Sequence, residues 1–155
     1  MVTTPLDIVR AVDDPELPHV TIGDLGMVRA VEVDGRAVRV RITPTFTGCP
    51  ATEQIRSDVE LALRSAGYEP TVEFVMAPAW STDDISRAGR QKLQAAGIAP
   101  PSPAGNGSVT VDLPVTCAHC GSRRTRQVAA FGATACKSLH ACDGCRQPFE
   151  SFKTI

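Results

Sequence analysis

The sequence predicts an α+β fold: a small mixed sheet covered by helices, followed by a cysteine-built zinc ribbon. Three patterns point there. In residues 37–43, Val38, Val40 and Ile42 alternate with Arg39, Arg41 and Thr43, the period of a strand with one buried face. Directly afterwards Ile55, Val59, Ala62, Leu63 and Ala66 recur at three- and four-residue spacing, the period of an amphipathic helix. Further on, Cys117-Ala118-His119-Cys120 and Cys142-Asp143-Gly144-Cys145 form two C-x-x-C pairs, a spacing that brings four thiolates to one tetrahedral ion.

The elements follow in order. Thr4 can cap a first helix with Pro5 at its first position, and Leu6, Ile8, Val9 and Val12 supply its apolar face. Asp14-Pro15-Glu16-Leu17-Pro18 ends it in an exposed turn, whose acids suit a solvated loop with an Asx-type cap. Gly23 and Gly26 flank Asp24-Leu25, so the backbone should turn tightly there and approach a neighbour closely. Residues 28–33 read as a strand, Asp34-Gly35 as a hairpin turn, and residues 71–75 as a further strand. Trp80 leaves that strand on a proline-containing loop, where it could cover the site or plug the core, and core packing is the favoured reading. Thr82-Asp83-Asp84 should cap a helix presenting Ile85, Ala88, Leu93 and Ala96 on one face, ended by Gly97.

A proline- and glycine-rich stretch, residues 98–108, divides the chain into an α+β domain (1–97) and a ribbon (109–155). Residues 109–113 resume an extended pattern. The ribbon has few large apolar side chains: Val115, Val128, Phe131, Leu139, Phe149 and Phe152. A core that small rarely folds unaided, so a structural zinc on Cys117, Cys120, Cys142 and Cys145 should supply much of its folding energy. His119, Cys136 and His140 lie nearby but are not needed, because four cysteines complete the coordination.

The totals exclude several functions. Net charge is −1 over 155 residues, and the six basic and two acidic residues after position 116 are partly offset by four thiolates on zinc. That leaves no electrostatic footprint for nucleic acid. No apolar run approaches the roughly 20 residues of a membrane span, and the first residues lack a signal-peptide pattern. A cytoplasmic protein is expected, in which six cysteines serve as ligands or reactive thiols rather than disulfides.

Strand and helix periods meet at Thr43-Pro44-Thr45-Phe46-Thr47-Gly48-Cys49-Pro50. Pro50 suits the first helical position, which makes Cys49 the N-cap residue or its neighbour. Free backbone N–H groups and the positive end of the helix dipole would then favour its thiolate, as a nucleophile or metal ligand requires. The position equally suits a small apolar filler of the strand–helix corner.

Asp14-Pro15-Glu16-Leu17-Pro18, Asp24-Leu25-Gly26, Thr43-x-Thr45-x-x-Gly48-Cys49-Pro50 and Ala77-Pro78-Ala79-Trp80-Ser81-Thr82-Asp83 together resemble the metal–sulfur cluster biosynthesis (iron–sulfur assembly) domain. With Phe131-Gly132-Ala133-Thr134-Ala135-Cys136-Lys137, Cys142-x-x-Cys145 and Pro148-Phe149-Glu150-x-Phe152-Lys153, the chain is similar to the PaaD-like family. These are small accessory proteins of the phenylacetyl-CoA epoxidase system in aerobic phenylacetate catabolism. The resemblance covers nearly the whole chain, although Ala133 stands where the family pattern has serine. It implies a non-catalytic factor that assists iron–sulfur cluster assembly or delivery to the epoxidase's reductase component. Cys49 would handle transient iron or a cluster, with Asp14, Glu16 and Asp24 as oxygen ligands or proton partners.

One cysteine per chain cannot enclose a cluster, so a homodimer presenting two Cys49 thiols, or a site shared with the client, is expected. Two other functions compete. One is an adaptor whose ribbon holds the epoxidase subunits together. The other is a thiol enzyme using Cys49, for which His19 is the sole histidine of the first domain.

Overall fold

The computed structural model describes residues 3–102 and 114–154. Helix α1 (Pro5–Arg10) is capped reciprocally: the Thr4 side chain accepts from the Asp7 N–H, and the Asp7 carboxylate accepts from the Thr4 N–H. Strands β1 (Val28–Asp34) and β2 (Ala37–Ile42) form the expected antiparallel hairpin across Gly35-Arg36. Helix α2 (Thr52–Ser65) then crosses over to β3 (Glu69–Phe74), which lies parallel to β2, in a sheet of order β1-β2-β3. Parallel neighbours require such a crossover, and the helix buries Ile55, Val59 and Leu63 in one cluster with Val38, Val40, Ile42 and Val72 of the sheet. Ala66 lies just past the helix and is exposed.

Two expectations change in detail. Thr43 is buried rather than wet, and its hydroxyl accepts from Arg29 Nε at 3.0 Å. The helix expected from Thr82 splits in two. Ser81 caps a single 3₁₀ turn (Thr82–Asp84), Ile85 is extended, and Ser86 caps α3 (Arg87–Ala95) by accepting from the Gly89 N–H at 2.9 Å. Ile85 and Leu93 are buried as expected, but Ala88 and Ala96 are exposed and Gly89 takes the inner position. The turn of residues 23–26 does approach its neighbours closely. A Cβ on Gly23 would stand 2.5 Å from the Arg10 carbonyl oxygen, and one on Gly26, where φ is +68°, would strike the Asp84 carbonyl.

The second sheet has the order β4-β7-β6-β5, from β4 (Ile98–Ala99), β5 (Thr125–Ala129), β6 (Lys137–Cys142) and β7 (Pro148–Phe152). The expected linker therefore begins late: Ile98 and Ala99 are buried and pair in parallel with Glu150 and Ser151. From residue 103 that linker, and the extended segment 109–113, lie outside the described residues.

The ribbon is joined to the first domain by a shared core. Phe152, 1% exposed, and Cys136 belong to the main apolar cluster, and the Phe152 ring lies 5.8 Å from that of Trp80. Trp80 is fixed by its Nε1–H, which donates to the Leu25 carbonyl at 2.7 Å. A smaller cluster of Ala99, Cys117, Cys142 and Phe149 sits at the cysteine end, while Val128 and Phe131 face outward. No helix among the described residues is long and apolar enough to cross a membrane.

Candidate functional site

The four knuckle cysteines converge. Their sulfurs lie within 4.8 Å of one another. Cys117 Sγ is 3.8 Å from Cys145 Sγ, and Cys120 Sγ is 3.6 Å from Cys142 Sγ. A tetrahedral ion with bonds of about 2.3 Å requires sulfur–sulfur edges of about 3.8 Å, so the donor set fits a metal. Backbone amides turn in on the sulfurs, from His119 to Cys117 at 3.4 Å and from Gly144 and Cys145 to Cys142 at 3.3 and 3.5 Å. The Cys145 amide, with help from that of Gly144, lowers the Cys142 thiol to about 6 against opposing burial. At Cys145 the Gln147 amide pulls downward, but burial and the sulfurs of Cys120, Cys142 and Cys117 push the thiol up to about 12. Four sulfurs this close cannot all ionise without a cation between them. The two histidines are engaged elsewhere. His119 Nε2 meets the Pro148 carbonyl at 3.2 Å, while buried His140 bonds Ser138 Oγ at 2.9 Å and stacks on Phe149.

Cys49 is set differently from expectation. Its N–H donates to the Phe46 carbonyl at 3.2 Å, closing a turn whose third residue, Gly48, has φ +79°. That left-handed value favours glycine. Helix α2 begins only at Thr52 with Ala51 as N-cap, so Cys49 lies two residues before the cap. The Ala51 amide does reach the Cys49 sulfur, as a helix N-terminus should. Even so, the thiolate is not favoured. Burial pushes the thiol up, and the charges of Glu16, Asp14 and Cys136 add to this against the single amide.

The acidic loop acts on Cys49 through the charges of Glu16 and Asp14. Asp14 Oδ1 accepts from the Glu16 N–H at 2.8 Å, the expected Asx cap, yet the residue is half-buried. Burial raises its carboxyl, with the Glu16 charge adding to this and backbone amides and Lys137 opposing it. Asp24 has partners of its own. Its carboxylate pairs with Lys92 Nζ at 2.5 Å and accepts from the Thr21 N–H at 3.1 Å, and it lines a cleft with Arg10, Thr21 and Asp84. Burial pushes that carboxyl up, but Lys92 and Thr21 outweigh it and hold it below the usual range. Asp24 is a structural clamp between the 23–26 turn and α3.

Sequence reasoning passes over Cys136. By position it reads as a bystander of the ribbon, but it lies in the main core, and Cys49 packs against the same cluster. Burial raises its thiol, the Thr134 hydroxyl at 3.1 Å opposes this, and Glu16 and Asp14 push upward here too. One signal could have found it: of six cysteines, four form knuckles and two are left over.

Comparisons with known proteins match two segments of the chain. Residues 6–76 match the family described as iron–sulfur cluster assembly protein, and residues 101–153 match the PaaD zinc β-ribbon domain. The chain is 42% identical over 151 residues to a putative 1,2-phenylacetyl-CoA epoxidase subunit of Escherichia coli K12, covering 96% of this chain and 90% of that protein. It is 33% identical over 89 residues to an Fe-S protein maturation auxiliary factor of Porphyromonas gingivalis, covering 56% of this chain and 84% of that one. Among solved structures, a DUF59 domain from Bacillus anthracis matches with a TM-score of 0.54 and 35% identity, over 57% of this chain and 87% of its own. The chain therefore belongs to the PaaD family, in which an iron–sulfur assembly domain is joined to a zinc β-ribbon.

Proposed function

We propose that this chain is an accessory factor of a phenylacetyl-CoA epoxidase system. It would assist the assembly of an iron–sulfur centre, or its delivery to the epoxidase's reductase component. What supports this is a domain of the iron–sulfur assembly family whose Cys49 thiol feels the charges of Asp14 and Glu16, residues far from it in sequence. A soft sulfur flanked by carboxylates is a donor set for iron as cargo. The ribbon cysteines would hold zinc, whose coordination they complete, and zinc there is structural. Similarity to an epoxidase subunit and to a maturation factor supports a role in a protein assembly rather than an independent catalytic one.

The test compares the chain with its Cys49→Ser variant in cells that depend on it for phenylacetate oxidation. The variant should keep its zinc while the reductase loses most of its iron and sulfide. A fully loaded reductase with the variant would overturn the delivery role and leave the adaptor, in which the ribbon holds epoxidase subunits together. That adaptor would instead fail on loss of Cys117 or Cys142.

A further inference from the structure

We propose that the groove between α1 and α2 is a docking surface for a cationic amphipathic helix of a partner protein, which would seat an apolar side chain beside Leu61 and set Lys or Arg against Asp7, Asp13 and Asp58. This goes beyond the accessory reading and does not rest on Cys49. Leu61 lies nine residues past Thr52, the first residue of α2, about 14 Å along the helix from the end that follows Cys49.

The groove forms where α1 packs on α2. Ile8, Ala11 and Val12 line one side and Leu61 and Ala62 the other, around a volume of about 600 Å³. Helix α2 turns Ile55, Val59 and Leu63 to the core, so Leu61 belongs to its outer side. At 65% exposure it is the most exposed large apolar side chain of the described residues. A lone surface leucine needs no explanation, but this one shares a groove with half-buried Ile8 and Ala62. The rim is acidic. Asp7, Asp13 and Asp58 line the same groove, and no lysine or arginine among the described residues does. Asp7 accepts from the Thr4 amide at 3.0 Å and Asp58 from Gln54 Nε2 at 2.8 Å, neutral donors that leave both charges in place. Among the described residues none of the three aspartates forms an ion pair, and Arg10 attracts Asp7 only from beyond that distance. An apolar strip edged by one sign of charge selects a partner whose apolar residues are edged by the other. Each wall is about one helical turn long, Asp7 to Ala11 and Asp58 to Ala62, a groove that a helix fills with residues spaced three and four apart. A second copy does not fit, because two-fold pairing of this face would set the aspartates of each copy against those of the other.

Titration of the full-length, zinc-loaded chain with an end-capped helical peptide of leucine and lysine, its leucines on one face, tests the proposal by amide chemical-shift mapping. Zinc retention and thermal melting serve as fold controls for each variant. Shifts should be confined to α1, residues 11–13 and the second half of α2, and binding should weaken as salt rises. Leu61→Ser changes an exposed side chain and should weaken binding about tenfold or more, the loss expected when an apolar anchor is no longer buried. Asp13→Asn combined with Asp58→Asn should lower the affinity at low salt and remove most of its salt dependence. A matched peptide with glutamate in place of lysine should not bind. Shifts centred on the ribbon or the sheet, wild-type affinity in Leu61→Ser, or equal binding of the glutamate peptide each overturn the proposal, as does no binding at all. So does a dimer in analytical ultracentrifugation that Leu61→Ser dissolves, the occupant then being a second copy. None of these results touches Cys49, whose role the reductase's iron content decides.

Discussion

Cys49 holds its proton more tightly than an ordinary thiol, because burial, Glu16, Asp14 and Cys136 together outweigh one backbone amide. Alkylation follows the thiolate, so a thiol whose value is raised reacts slowly near neutrality. Its rate with iodoacetamide should keep climbing past the pH at which an unperturbed cysteine levels off. Replacing Asp14 and Glu16 by their amides removes two charges that favour the protonated form and should move the profile to lower pH. Mass-spectrometric rates at Cys49 check both points; a profile that the amides leave in place would put the carboxylates outside the thiol's field.

At the scale of elements, the β6–β7 hairpin and the loop before it depend on one ion pair. Lys137 is almost wholly buried, and Glu150 compensates it while also accepting from the Ala133 amide. Burial pushes the Glu150 carboxyl up, but Lys137 and that amide outweigh it and hold it below the usual range. A depressed carboxyl contributes stability that is full above the ordinary glutamate range and is lost as pH falls through the lowered folded value. Glu150→Ala would strand a buried ammonium, so a loss of about 3 kcal/mol is expected in urea unfolding, and the difference from wild type should shrink in acid. A variant as stable as wild type at pH 7 would show that Lys137 finds water instead.

At the scale of the molecule, the two domains share their stability. Phe152 comes from the ribbon's last strand but packs with Trp80 in the first domain's cluster. Phe152→Ala should cost about 3–5 kcal/mol, as large core truncations do, and should lower the melting of both domains together. Removing the ribbon's metal with a chelator should act the same way, because β6, which ends at Cys142, pairs along its length with the strand that carries Phe152. Calorimetry checks both. Two independent transitions, with only one moved by the chelator, would mean that the shared core does not couple the domains.

Much of this is legible in the sequence because its signals are local. Alternation in β2, the helical period of α2, the Thr4-Pro5 cap and the two C-x-x-C pairs each act over a few residues, and all form as expected. What the sequence by itself cannot determine is what those residues face once distant segments meet. Helix-terminus amides alone argue for a thiolate at Cys49; only the fold adds burial and two nearby carboxylates, which reverse the sign. Asp24 resembles a site residue until Lys92, 68 positions away, claims its carboxylate. A C-terminal strand places Phe152, and the loop before β6 places Cys136, in the main core. Periodicity and capping act through neighbours in the chain, whereas desolvation, ion pairing and shared packing depend on groups that only the folded chain brings together.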